Sequence, residues 1–244
     1  MRILVCISNV PDTTTKITFT NNNTQFNTSG VQFILNPYDE IALARAIELT
    51  EGDGTVTIIN VGEATTEPTI RKALAVGATD AVRVNAAPLD AWFVASQIAG
   101  YVKDNPFDLI LTGRESIDYN GSKVAAMLGE LLNIPSVSII KKIDIDGNNA
   151  VVEREIEGGK EILSVLLPIV AGCAEGVAEP KIPNMRGIMS ARTKQLIVVD
   201  AIGITPNSVV INYETPAPRG QVKLVTADNP DQLVELLHNE AHVI

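Results

Sequence analysis

Apolar runs alternate with amphipathic stretches almost from the first residue. Residues 2–7 form a continuous apolar run, and residues 55–61, 81–84, 109–112 and 136–140 repeat that pattern, as strands buried on both faces do. Between them helical periods run over residues 37–50, with a proline at the start, and over 67–76, 89–103 and 122–133. Strand and helix in turn predict an α/β fold with a doubly wound, mostly parallel sheet.

Two stretches break the alternation. Residues 11–33 carry the short alternating pieces "KITFT" and "TQFNT" around Asn21, Asn22 and Asn23, which predicts a β-hairpin inserted before the first helix. Beyond Ile140, the Asp146-Gly147 and Gly158-Gly159 turns between β-branched runs predict antiparallel strands added to the sheet as far as Gly172. A Pro- and Met-rich loop follows at 179–194, then a strand at 195–199, a polar tether at 202–221 with Pro206, Pro216 and Pro218, and a closing helix at 230–239. The division expected is an α/β body over residues 1–200 and an arm over 201–244 that docks on a neighbour.

Composition narrows the partners. With 45% hydrophobic and only 4% aromatic residues among 244, the core must be built from Val, Ile, Leu and Ala. The formal charge of −10 argues against a nucleic-acid binder, so an anionic ligand must be held by local amides and a few chosen cations. Cys6 and Cys173 lie in apolar sequence without metal-like spacing and read as core thiols; His238 and His242 lack an HExxH pattern. The apolar start is at most seven residues before Pro11-Asp12, so it reads as a strand and not an export signal. No other run approaches 18 apolar residues, and a cytoplasmic protein not embedded in a membrane is expected.

In such a sheet ligands bind outside the carboxyl ends of the strands, near the switch point. Four segments converge there: residues 6–10, residues 36–39, residues 61–63 and the long loop 113–124. The sequence contains no GxxxxGK[ST], and its one Gly-x-Gly (Gly52-Asp53-Gly54) precedes a strand, which disfavours P-loop and ordinary dehydrogenase chemistry. Asn120, Gly121 and Ser122 stand at the amino end of the fourth helix, where free N–H groups and the dipole favour phosphate, and Lys123 adds charge. Asp118 and Ser116 are suited to sugar hydroxyls or to bracing the loop. Capping of that helix by Asp118 or Asn120 explains the same residues equally well.

Elsewhere, Glu153 and Glu155 share a strand face, either as a solvated edge or as a carboxylate pair. No Ser or Cys sits near a His or in an elbow motif, so bond-making catalysis is not expected. Ile182, Met185, Ile188 and Met189, in a loop rich in Pro, Gly, Arg and Lys, read as an adaptable partner contact or as side chains folded back on the sheet.

Four stretches together, "NPYDEIALARAIEL", "TIRKALAVGATDAVRV", "LILTGRESIDYNGSKVAAMLGELLNIP" and "VEREIEGGKEILSVLLPIVAG", resemble the small (β) subunit of electron transfer flavoproteins. The resemblance covers residues 1 to about 200. It implies an adenine-nucleotide-binding, Rossmann-like body and a heterodimer whose large (α) subunit holds the redox-active FAD, while the small subunit binds AMP structurally. It implies no enzyme, but an electron carrier between acyl-CoA dehydrogenases and a quinone oxidoreductase.

Carried over, the AMP contacts are Cys6, Asn36, Pro37, Tyr38, Asp39 and Val61. The loop adds Gly113, Arg114 and Glu115 at its start, Ser116, Ile117, Asp118 and Tyr119 in its middle, and Asn120, Gly121, Ser122, Lys123 and Val124 at its end. Thr13 matches a position close to the flavin ring, Glu155 one that holds the flavin domain of the large subunit, and Met185 the apolar anchor of a dehydrogenase-recognition loop. Two departures stand out: Ser8 replaces a usual lysine, and Lys123-Val124 replace a usual Gln or Thr. They fit AMP with altered contacts or a different adenine nucleotide, as in a bifurcating member with a second FAD in the AMP site. In another class, an ATP-binding module of the universal-stress type shares the expected sheet topology.

Overall fold

A computed structural model describes residues 1–218 and 220–244; Arg219, inside the expected tether, lies outside the described residues. Strand β1 (Arg2–Cys6) leads to a short ribbon of β2 (Asn9–Pro11) with β5 (Phe33–Leu35). Beyond that ribbon, β3 (Phe19–Thr20) and β4 (Gln25–Phe26) close the expected hairpin. Its tip is Asn21, Asn22 and Asn23, all at positive φ, which asparagine tolerates better than most residues.

The body then alternates as expected: α1 (Pro37–Leu49), β6 (Thr55–Val61), α2 (Glu67–Val76), β7 (Asp80–Asn85), α3 (Ala91–Asp104), β8 (Leu109–Gly113), α4 (Val124–Leu132) and β9 (Ser136–Asp146). After these come β10 (Asn149–Ile156), β11 (Gly159–Leu166), β12 (Ile169–Cys173), α5 (Met185–Ala191), β13 (Leu196–Asp200) and α6 (Pro230–Glu235).

Nine strands form one sheet in the order β11-β10-β9-β12-β8-β1-β6-β7-β13. Only β10 runs antiparallel to its neighbours, β9 and β11. The two faces of β1 seed the two cores, because successive side chains of a strand point to opposite sides. Ile3 and Val5 join Leu43, Ile70 and Leu74 on the α1/α2 face, whereas Leu4 and Cys6 join Phe93, Ile98 and Leu128 on the α3/α4 face.

Three expectations are refined. β12 was counted among the added antiparallel strands, yet it returns into the parallel sheet and pairs with β8 on one side and β9 on the other. All five of its residues are buried, so it belongs in the middle. Strand β9 runs six residues past Ile140, carrying the sheet outward. The 179–194 loop contains a short helix, α5, although its apolar side chains stay exposed.

The arm leaves the body along α3. Gln97 clasps Ile202, donating to its carbonyl and accepting from its N–H at 2.8 Å each. Asp90 accepts from the N–H groups of Asn207 at 2.7 Å and Ser208 at 2.8 Å. Farther on, Tyr213 stacks on Phe19 at the hairpin, and beyond it Val222 and Leu224 are exposed. Among the described residues no helix is long and apolar enough to cross a membrane.

Candidate functional site

β1 is flanked by β6 on one side and β8 on the other, so the chain departs in opposite directions and leaves a crevice at the carboxyl ends of β1 and β8. The first turn of α1 lies across it. Asp39, only 4% exposed, accepts from the Ser8 N–H at 2.7 Å and from the Gly113 N–H at 3.0 Å. One carboxylate thus joins the two strand ends that bound the crevice. Burial pushes its pKa up to about 7 against the pull of these donors.

Asn36 precedes α1 but does not cap it. Its side chain crosses to the long loop instead, donating to the Glu115 carbonyl at 2.8 Å and accepting from the Ile117 N–H at 3.4 Å. Pro37 at the first helical position needs no donor, and Asp39 and Glu40 suit the positive end of the helix dipole. Tyr38 lies under the Arg114 guanidinium, 4.6 Å from ring centre to carbon.

The loop 113–124 is folded on itself. Ser116 and Gly121 form an isolated bridge, and the Asn120 N–H donates to the Ser116 carbonyl at 2.8 Å. The Ser116 hydroxyl bonds the Asp118 carboxylate. Asn120 takes φ +53° and donates Nδ2 to Glu115 at 3.2 Å. A Cβ on Gly121 would sit 1.8 Å from the Tyr119 ring, so any side chain there would have to displace that exposed ring.

α4 begins at Val124, two residues later than its periodicity suggested, with Lys123 before it and no side-chain cap. Capping by Asp118 or Asn120 is therefore not what these residues do. Their hydrogen bonds stay within the loop, and the first amides of α4 remain available to an anion.

Cys6 and Val61 are buried beside the crevice at the ends of β1 and β6. Burial, with the Asp39 charge nearby, pushes the Cys6 thiol far up and Cys173 up to about 12, so both stay neutral. Thr13 lies in a turn after β2, where Asp12 accepts from the Thr14 N–H at 2.9 Å. Glu153 pairs with Lys160 at 3.1 Å and exposed Glu155 with Lys141 at 3.7 Å, so each carboxylate has its own cation, on a strand that lies inside β11 and not at the sheet edge. Met185 opens α5, 74% exposed and far along the chain from the crevice residues.

The sequence reading missed one contributor. With β12 beside β8, the Cys173 carbonyl accepts from the Arg114 N–H at 2.8 Å, and Glu175 pairs with Arg114 at 3.3 Å. The unbroken apolar run before Cys173 was the available signal. Among the described residues no group of His, Cys, Asp and Glu is placed to hold a metal.

The doubly wound sheet and the crevice at the carboxyl ends of β1 and β8 define an α/β protein of Rossmann-like architecture. A family model described as "Electron transfer flavoprotein domain" matches residues 23–203, and the chain belongs to that family. It is similar over its full length to electron transfer flavoprotein subunit beta of Bacillus subtilis, at 35% identity with both chains fully covered. The human protein of that name is 31% identical, with 94% of each chain covered. The caffeyl-CoA reductase-Etf complex subunit CarD of Acetobacterium woodii is 29% identical, with both chains fully covered. Small-subunit membership and a role in electron transfer follow from this set.

Proposed function

We propose that this chain is the small subunit of a heterodimeric electron transfer flavoprotein which holds AMP in its crevice and docks a large subunit carrying FAD. Through that FAD it passes electrons from acyl-CoA-type dehydrogenases toward a quinone oxidoreductase. The observation that carries the AMP assignment is the uncapped start of α4 beside a loop in which Ser116, Asp118 and Asn120 bond within the loop and not to the helix.

The phosphate would meet the first amides of α4 and Lys123, and the ribose would meet the Ser116–Asp118 side of the loop. Asn36 and Asp39 hold the walls in place from α1. When bound, the flavin supplies the redox chemistry; this chain orients and docks. Both thiols are held neutral by burial and offer no nucleophile.

The second reading places another FAD in the AMP site, as in a bifurcating member. Lys123, exposed at the α4 start, favours it, because a diphosphate spreads its charge over two phosphates, and a long cationic side chain can reach the one that the α4 amides do not hold. Residues 201–244, with Val209, Val210, Ile211 and Leu224 exposed, are the arm that wraps the large subunit.

Co-expression with a large subunit followed by nucleotide extraction tests these readings. One FAD and one AMP per heterodimer is expected. Two FAD without AMP would establish the bifurcating form, whereas a heterodimer that yields FAD and no second nucleotide would overturn the site assignment.

A further inference from the structure

The segment around α5 combines an exposed surface with a pinned backbone. Ile182 is 94% exposed and Met189 67%, so the outer side chains have no partner within the chain. Beneath them, α5 and α2 each close the other's carboxyl end. Arg71, on α2, donates Nη1 to the Ala191 carbonyl at 2.9 Å and to the Lys194 carbonyl at 2.8 Å. In return, Lys194 Nζ donates to the Leu74 carbonyl at 2.9 Å and the Ala78 carbonyl at 2.5 Å, where α2 ends.

Arg71 is itself steadied by Glu67, whose Oε1 lies 3.2 Å from Nε and 3.1 Å from Nη2. Between the two helices the backbones touch: a Cβ on Gly187 would lie 2.3 Å from the Ala75 carbonyl oxygen. At the other end, the Asn184 side chain accepts from the Gly187 N–H at 2.8 Å and caps α5. A seven-residue helix has little stability of its own, so these contacts decide where it sits. Apart from the Arg71–Glu67 pair, each of them involves a backbone group, which leaves the outward side chains free for contact without loosening the chain that carries them.

We propose that Arg71 and Lys194 are positioning residues. By reciprocal capping of α2 and α5 they present Met185 and Met189 in a preformed docking geometry, so that binding a dehydrogenase does not have to order the segment. This rests on the docking role given to Met185.

The test uses the purified heterodimer as electron acceptor for a butyryl-CoA dehydrogenase from which the wild type accepts electrons. Arg71→Met and Lys194→Met should each raise KM for the heterodimer about five- to tenfold with kcat unchanged, as expected when a partner must order a loop on binding. Arg71→Lys, which keeps one donor, should recover part of the loss, and flavin and nucleotide content should not change.

A raised KM for Met185→Ala beside an unchanged KM for both clamp variants would overturn the clamp and leave the docking role standing. An unchanged KM for Met185→Ala would overturn the docking role and the clamp with it. A fall in kcat at constant KM would also overturn the clamp. Should the variants fail to fold, amide exchange in the wild-type heterodimer decides: amides from 188 to 194 should be protected as well as those of α2, and exchange at the rate of unstructured chain would overturn the proposal.

Discussion

Asp39 does its work by standing between two backbone amides, and its surroundings make its charge sensitive to pH. The native carboxyl keeps its proton up to about 7, whereas the unfolded one releases it near 3.8. Between those values the native state binds the extra proton, so this group's contribution is complete below the lower value and is lost as pH rises through the upper one. The slope is at most about 1.4 kcal/mol per pH unit. Asp39→Asn has no proton to lose. Urea unfolding from pH 4.5 to 7.5 should therefore show the wild type losing stability relative to the variant, and a constant difference would count against a raised Asp39. Gly113 faces the same carboxylate. An added methyl would lie 2.3 Å from Asp39 Oδ1 and 2.9 Å from the Asp39 backbone N. Gly113→Ala should cost about 1–3 kcal/mol in denaturant unfolding and lower the AMP recovered from the heterodimer. The sequence pointed to Asn36, Asp39 and Gly113 as neighbours of a ligand, because they flank strand ends. That two of them are struts was invisible, since their partners in and beside the long loop lie more than 70 residues away and no local pattern encodes such a pairing.

Among the elements, those that follow a single period were readable, and those whose place depends on distant strands were not. β1, β6, β7 and β8 appear as apolar runs because each is covered by helices on both faces, a local signature with a direct physical cause. β12 carries the same signature, yet its central position depends on a gap between β8 and β9 that no stretch of sequence displays. Glu175, and with it one wall of the crevice, was missed for that reason. The late start of α4 has a similar origin: Ser122 and Lys123 fit a helix, but the Ser116–Gly121 bridge holds the chain in a turn just before them. Asp90 shows one side chain serving two elements, accepting from the Phe93 N–H at 2.7 Å to cap α3 and from Asn207 and Ser208 on the arm. Asp90→Ala should cost about 1–2 kcal/mol by thermal or urea unfolding. It should also open the stretch near residue 208 to proteolysis, while Asp90→Asn, which still accepts, should lose less.

For the molecule as a whole, the arm changes character after Ser208, from an irregular segment clasped against α3 to a chain with Val209 and Ile211 exposed. A chain ending at Ser208 should keep the far-UV spectrum of the sheet and its denaturant midpoint but fail to co-purify with a large subunit. Co-purification of the truncated chain would remove the docking role from the arm. The place of β12 bears on how such a chain comes into being. Leu109 pairs with Ile3 on one side and with Ile169 on the other, so the flank of β8 stays open until the antiparallel excursion through β10 and β11 is complete. This is a sheet of high contact order, and during synthesis its crevice cannot close until the segment carrying Cys173 and Glu175 has emerged and inserted. A nascent chain halted after Leu166 should expose an unpaired hydrophobic edge, recruit chaperones and bind no nucleotide.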